Sequence, residues 1–227
     1  MAVMVLVVAA CGSSDDEGTP ATTVPPPAPS TTTATTEAPS AGVAPVTVDE
    51  ALAVSDAYIG AFNTGDTDAV LALLIPDVAL SEKYTGMSAS FEAMDRGSFE
   101  QHLAWSAAQG TTFTSPECAV TEEGTGTAVT VVCEFGWLYA AERAGGEPPV
   151  PTVLTMVVTG DGISQAAFEY PPDFGSDLFD RWLYATHSDD LEGVEFGDWE
   201  SVAEAEAGGI LRAQYVDEWV ASLEANN

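Results

Sequence analysis

Positive charge is almost missing from this sequence. Five Lys and Arg stand against 36 Asp and Glu in 227 residues, a formal net charge of -31. Such a surface repels phosphate backbones and anionic head groups, which argues against nucleic-acid binding and polybasic docking on a membrane. Histidine is scarce as well. His102 and His187 lie far apart in sequence without a ligand cluster, so neither Ser-His hydrolysis nor zinc chemistry has support. There is no Walker A loop, G-x-S-x-G, H-E-x-x-H, Rossmann fingerprint or EF-hand loop, and neither a metal nor a cofactor is expected. The acids themselves allow two readings. They are either a solvated, like-charged surface or a site for cations or a basic partner.

Long apolar runs are also missing. The longest, Met1 to Ala10, is too short for a bilayer-spanning helix, which needs about 20 residues. It suits the hydrophobic part of an export signal, although no Lys or Arg precedes it, which suggests a start codon further upstream. Val8-Ala9-Ala10-Cys11-Gly12 resembles the lipobox of bacterial lipoproteins. That resemblance implies cleavage before Cys11, a lipid on its thiol, and acylation of the new amino terminus. Two or more acyl chains hold a protein stably at a membrane where one is marginal. The expected location is therefore extracytoplasmic, with the membrane as partner through Cys11.

Residues 11–46 contain Thr, Pro, Ala and Ser and almost nothing large and apolar. Such a stretch buries too little surface to offset the entropy of ordering, so it reads as a disordered linker. Extended by its prolines, it reaches on the order of 100 Å. All twenty Trp, Phe and Tyr residues come later, after residue 50. The remaining 180 or so residues suffice for one domain with a buried core.

Cys118 and Cys133 flank a turn signal, Glu122-Glu123-Gly124-Thr125-Gly126-Thr127, between two β-branched, aromatic segments. In a hairpin centred on that turn the two cysteines stand directly opposite on one face. An exported protein meets oxidising conditions, so a cross-strand disulfide is expected. A reduced pair or a metal site is the alternative, but no further Cys or His ligand is near.

Thr47 and Glu50 form the ends of a capping box, and Leu52, Ser55, Tyr58, Ile59 and Phe62 follow at helical spacing to Asn63. A second helix runs from Asp66 to Ile75, a short strand from Val78 to Glu82, and a third helix from Ser98 to Gln109. Four strands are predicted over 111–121, 127–141, 151–159 and 163–170, the last two joined by Gly160-Asp161-Gly162. Helices followed by an antiparallel meander define an α+β class.

Tyr58-Ile59-Gly60-Ala61-Phe62-Asn63-Thr64-Gly65-Asp66, the following helix, and Leu73-Leu74-Ile75-Pro76-Asp77-Val78-Ala79-Leu80 resemble the opening of the nuclear-transport-factor-2-like superfamily. Its members include SnoaL-like cyclases, scytalone dehydratase and ketosteroid isomerase. The resemblance covers about 48–172 and implies a cone: N-terminal helices packed in a curved antiparallel sheet, enclosing a pocket, over a domain of 47–172. In the isomerases a carboxylate base, a tyrosine donor and a protonated acid share an apolar cavity. Tyr58 falls at the tyrosine position and Glu82 at or beside that of the base. The third position falls in Thr152 to Met156, which contains no acid. The bland alternatives are a core tyrosine and a solvated strand end beside Lys83.

Phe135, Trp137 and Tyr139, alternating with outward residues, are expected to line the pocket, with Trp105 contributing from a helix. A small apolar ligand fits such a wall, and so does a plain core. His102 is expected to be a surface or structural residue. Residues 173–227 form a helical extension with one helix around Phe179, Trp182 and Leu183. Its last helix carries Leu211, Tyr215, Trp219 and Leu223 along one face, expected to pack on the domain's own sheet. The whole reads as a non-catalytic binding or envelope-interaction domain, with a SnoaL-like lyase or isomerase as alternative. A homodimer through the open sheet face is a further possible partner arrangement.

Overall fold

The computed structural model describes residues 45–86, 90–123, 127–172, 178–191 and 199–225. Cys11, the export signal and nearly all of the linker lie outside the described residues.

Helix α1 (Val48–Thr64) starts where the capping box directs. Thr47 accepts from the Glu50 N–H, and Glu50 accepts from the Thr47 N–H at 2.8 Å. Gly65 closes it in the left-handed region, φ 70°, where a side chain would be strained. Helix α2 (Thr67–Ala72) is capped by Asp66 and is shorter than its sequence suggests. The chain turns to strand at Leu74, which pairs with Ile163, so β1 (Leu74–Tyr84) includes Pro76 and extends past Glu82. A short strand β2 (Glu92–Met94) and helix α3 (Arg96–Ala108, capped by Asp95) follow.

Strands β3 (Thr112–Glu123), β4 (Ala128–Leu138), β5 (Val150–Thr159) and β6 (Gly162–Tyr170) form the expected meander. The described residues make one six-stranded sheet of order β2-β1-β6-β5-β4-β3. It is not wholly antiparallel, because β1 lies parallel to β6. The crossover from β1 through α3 and the hairpins returns the chain beside its first strand in the same direction. Bulges near Ser115 in β3 and Ser164 in β6 help curve the sheet around α1. The fold is α+β with a curved, open sheet.

Cys118 and Cys133 are opposed in the β3–β4 register and joined by a disulfide. The register therefore matches the midpoint argument, although the turn residues 124–126 lie outside the described ones. Strand β4 ends at Leu138 rather than 141. Tyr139 becomes the N-cap of helix α4 (Ala140–Gly145), and its N–H donates to the buried Glu142 carboxylate at 2.9 Å.

The extension differs most from expectation. Its helices are α5 (Leu178–His187), α6 (Val202–Gln214) and α7 (Val216–Ala225), the last two split at Tyr215. They do not lie on the sheet. Helix α6 packs along α3, and α7 packs on α4 and α5. The α3–α6 approach is so close that a Cβ on Gly209 would meet the Trp105 carbonyl oxygen at 2.5 Å. Phe179, Leu183 and Trp219 form a second small core with Ala141. Arg212 joins the pieces: it donates to Asp180 of α5 and to Gln109 after α3, and lies over the rings of Trp105 and Phe179. No helix among the described residues is long and apolar enough to cross a membrane.

Candidate functional site

Alternation along the strands sends Val131, Cys133, Phe135 and Trp137 of β4, and Leu154, Met156 and Val158 of β5, towards α1. The space they enclose is filled with rings. Phe113 stacks on Phe62 at 3.8 Å, lies 4.1 Å from Phe135 and 5.3 Å from Trp137. Trp137 in turn meets Tyr139 and Tyr170 edge-on at 6.1 and 5.7 Å. Asn63 at the end of α1 fixes this packing by exchanging two hydrogen bonds with the Phe113 backbone, 3.0 and 2.6 Å long.

Two small cavities of about 10 Å³ lie among the described residues inside, one lined by Phe62, Phe99, His102, Ser106, Trp137 and Tyr170 among others and one by Phe62, Val70 and Leu103. Each has room for one water molecule at most. Of the four residues expected to line a pocket, Trp137 borders the first of these cavities and none borders the second. Phe135 is covered by Phe113, while Trp105 and Tyr139 pair with each other at 5.8 Å, on the side of α3 that faces the extension. Phe135 and Trp137 do face inward, and among the described residues the rings of Phe62 and Phe113 take up the space beside them.

Tyr58 and Glu82 are each within electrostatic reach of the Tyr170 hydroxyl. Tyr58 is completely buried. Glu82 stands opposite Phe168 in the β1–β6 register, on the inner face, while Lys83 turns outward to Glu169 at 3.2 Å. The strand end is thus half-buried rather than fully solvated. Tyr84 donates a hydrogen bond to Glu82, and the Tyr170 hydroxyl is within electrostatic reach of Tyr84, Glu82, Tyr139 and Tyr58. Burial pushes the Glu82 carboxyl above its ordinary range, the nearby Glu92 adds to this, and the Tyr84 bond opposes it. Burial also raises Tyr58, Tyr84 and Tyr170. The Tyr58 hydroxyl and one Glu82 oxygen, Oε2, are buried without a hydrogen-bond partner among the described residues.

Of the two places expected for His102, surface or structural, the fold gives it the structural one. It lines the cavity from α3 and meets Trp105 and Trp199 edge-on, both at 6.4 Å. Burial lowers its pKa to about 4, so the ring is neutral at physiological pH. Its spacing of three residues from Phe99 and four from Ser106 is the signal for this in the sequence. His187 lies elsewhere, on α5, 3.2 Å from Glu218. Among the described residues no three His, Cys, Asp or Glu side chains gather as a metal site.

No protein-family model matches this chain, and no curated protein matches it. Some solved structures are similar. A Xanthomonas campestris protein described as a candidate polyketide cyclase is 26% identical, over 53% of this chain and 89% of its own, with a TM-score of 0.38. A nuclear-transport-factor-2-like protein of unknown function from Methylobacillus flagellatus is 15% identical, over 57% and 98%, with a TM-score of 0.39. A candidate polyketide cyclase from Silicibacter is 21% identical, over 57% and 90%, with a TM-score of 0.37. The α+β class rests on this chain's own topology, and what those proteins are described as doing is theirs.

Proposed function

We propose that the folded part is a non-catalytic domain working through its surface, outside the cytoplasm, held at a bacterial membrane by lipid on Cys11. The observation that carries the non-catalytic reading is the filled cone. A drug-sized ligand site needs roughly 300 Å³ or more, against about 10 Å³ in each interior cavity among the described residues. The Cys118–Cys133 bridge supports an oxidising compartment independently of the N-terminal pattern. An envelope partner fits this reading better than the small apolar ligand considered from sequence. Titrating the full chain with the neutral apolar dye Nile red tests it. Unchanged emission is expected, and saturable one-to-one binding that is lost in Trp137→Ala would overturn it.

A second reading has one specific observation in its favour. The unpartnered Tyr58 hydroxyl and Glu82 Oε2 are a donor and an acceptor waiting inside the cone, with a carboxyl whose pKa is raised. These are parts of a proton-transfer site. They lack a protonated acid on β5, whose inner face is Thr152, Leu154, Met156 and Val158. Titration of Glu82 by carbon-13 NMR tests this second reading. A carboxyl titrating near 4 would end it.

A further inference from the structure

The outer face of the sheet carries a groove that the cone interior does not explain. Its volume is about 430 Å³, and it lies across β3, β4 and β5. Pro149, Pro151 and Val153 form one apolar side. Gly136 forms the floor, where a Cβ would strike Pro149 at 2.4 Å and Thr114 Oγ1 at 2.6 Å. The lack of a side chain at Gly136 lets Pro149 and Thr114 close over the strand, and the proline run shapes the groove beside them. On its other side stand Glu117 and Glu134.

Those two glutamates are direct partners in the β3–β4 register. Both are exposed on the outer face. Like charges directly opposite each other on a sheet destabilise it, and among the described residues no basic side chain is paired with them. All five basic side chains are engaged elsewhere. Lys83 pairs with Glu169, Arg96 with Glu100 and Arg212 with Asp180, while Arg143 bonds Gly110 and Thr112 and Arg181 faces Glu147. The one-residue bulge between Thr114 and Glu117 sets this register, because the extra residue brings Glu117 opposite Glu134. Without it Glu134 would face Pro116.

We propose that this groove docks a basic peptide segment of a partner protein, with a Lys or Arg head between Glu117 and Glu134 and its aliphatic stem on Pro149 and Pro151. Charge complementarity selects the occupant. A second copy of this chain, at a net charge of -31, would bring more carboxylates, and an anionic surface would be repelled. The long basic side chains match the groove in both parts, an apolar stem along apolar surface and a charged end at carboxylates. This rests on the surface-binding reading above.

The test uses the full chain and a synthetic decapeptide of alternating Lys and Pro, with an alternating Ser and Pro decapeptide as control, followed by backbone NMR shifts and calorimetry. The Lys peptide is expected to shift residues 114–117, 134–136 and 149–153, and the Ser peptide to shift none. Glu117→Gln/Glu134→Gln is expected to weaken binding about tenfold, as the loss of two partly exposed ion pairs implies. It relieves repulsion, so folding is retained. Glu206→Gln/Glu224→Gln removes the same charge from exposed helical positions and is expected to change binding less than twofold. Equal weakening by both double variants would overturn the proposal in favour of unspecific attraction. So would a doubled mass in sedimentation with no peptide bound, or calcium binding at the two glutamates without peptide binding. The Nile red result is independent: dye entry overturns the surface reading, whereas a silent dye with no peptide binding overturns this groove alone.

Discussion

Phe62 on α1 and Phe113 on β3 stack face to face, their ring centroids 3.8 Å apart and their planes within 9°. This pair occupies the space in which a cone fold can hold a ligand. Both rings are more than nine-tenths buried. Phe62→Ala should therefore cost about 3–5 kcal/mol in urea denaturation, the range for truncating a buried phenylalanine. It should also create a cavity that admits benzene. A loss below 1 kcal/mol would mean that the interior is loosely packed.

Glu82 sets a pH dependence whose sign follows from its environment. Its folded pKa is raised above the ordinary 4.5. The folded chain then keeps a proton that the unfolded chain has already released, so this group's contribution falls as pH rises from 4.5 through the folded value. Glu82→Gln removes that fall. The variant's stability relative to wild type should increase between pH 4.5 and pH 7, measured by urea denaturation at each pH. A constant difference across that range would contradict the burial of the carboxyl.

The sequence made much of the cone readable because its local signals agree with its long-range contacts. The Thr47–Glu50 box, Gly65, the Gly160–Gly162 turn and the Cys118–Cys133 register each act over a few residues. The parallel β1–β6 pairing was not readable, since Leu80 meets Ala166 only through a crossover some 85 residues long. Helix α4 was hidden because Tyr139 continues the strand alternation and only the Glu142 carboxyl, reaching back to its N–H, breaks it. For the site, inward direction was legible and volume was not. The alternation of Phe135 and Trp137 says which face they occupy, but not that Phe62 and Phe113 fill the space in front of them. The role of His102 depends on Trp199, whose contact with it joins residues almost 100 apart.

Arg212 anchors the helical extension. Its partly buried ion pair with Asp180 is supported by Gln109 and by two aromatic faces. Removing one partner of such a pair leaves an uncompensated charge, so Arg212→Leu should cost about 3 kcal/mol. Arg212→Leu/Asp180→Leu should recover part of that loss. Arg212→Lys should not restore stability, because an ammonium cannot serve the two acceptors and the rings together. Additive effects of the two single changes would contradict the coupling.

The Cys118–Cys133 bridge closes a loop with a sequence separation of 15. A disulfide across such a loop stabilises by about 3 kcal/mol. Cys118→Ser/Cys133→Ser should lower stability by about that amount and leave the far β1–β6 pairing intact by amide exchange. Equal stability with and without the bridge would show that the hairpin is held by its strands alone.

The filled cone is tested most directly by native mass spectrometry of the full chain isolated from the cells that make it. The expected spectrum contains the polypeptide and no non-covalent small molecule. A stoichiometric small-molecule adduct, released on unfolding and abolished by a substitution at Trp137, would contradict the account.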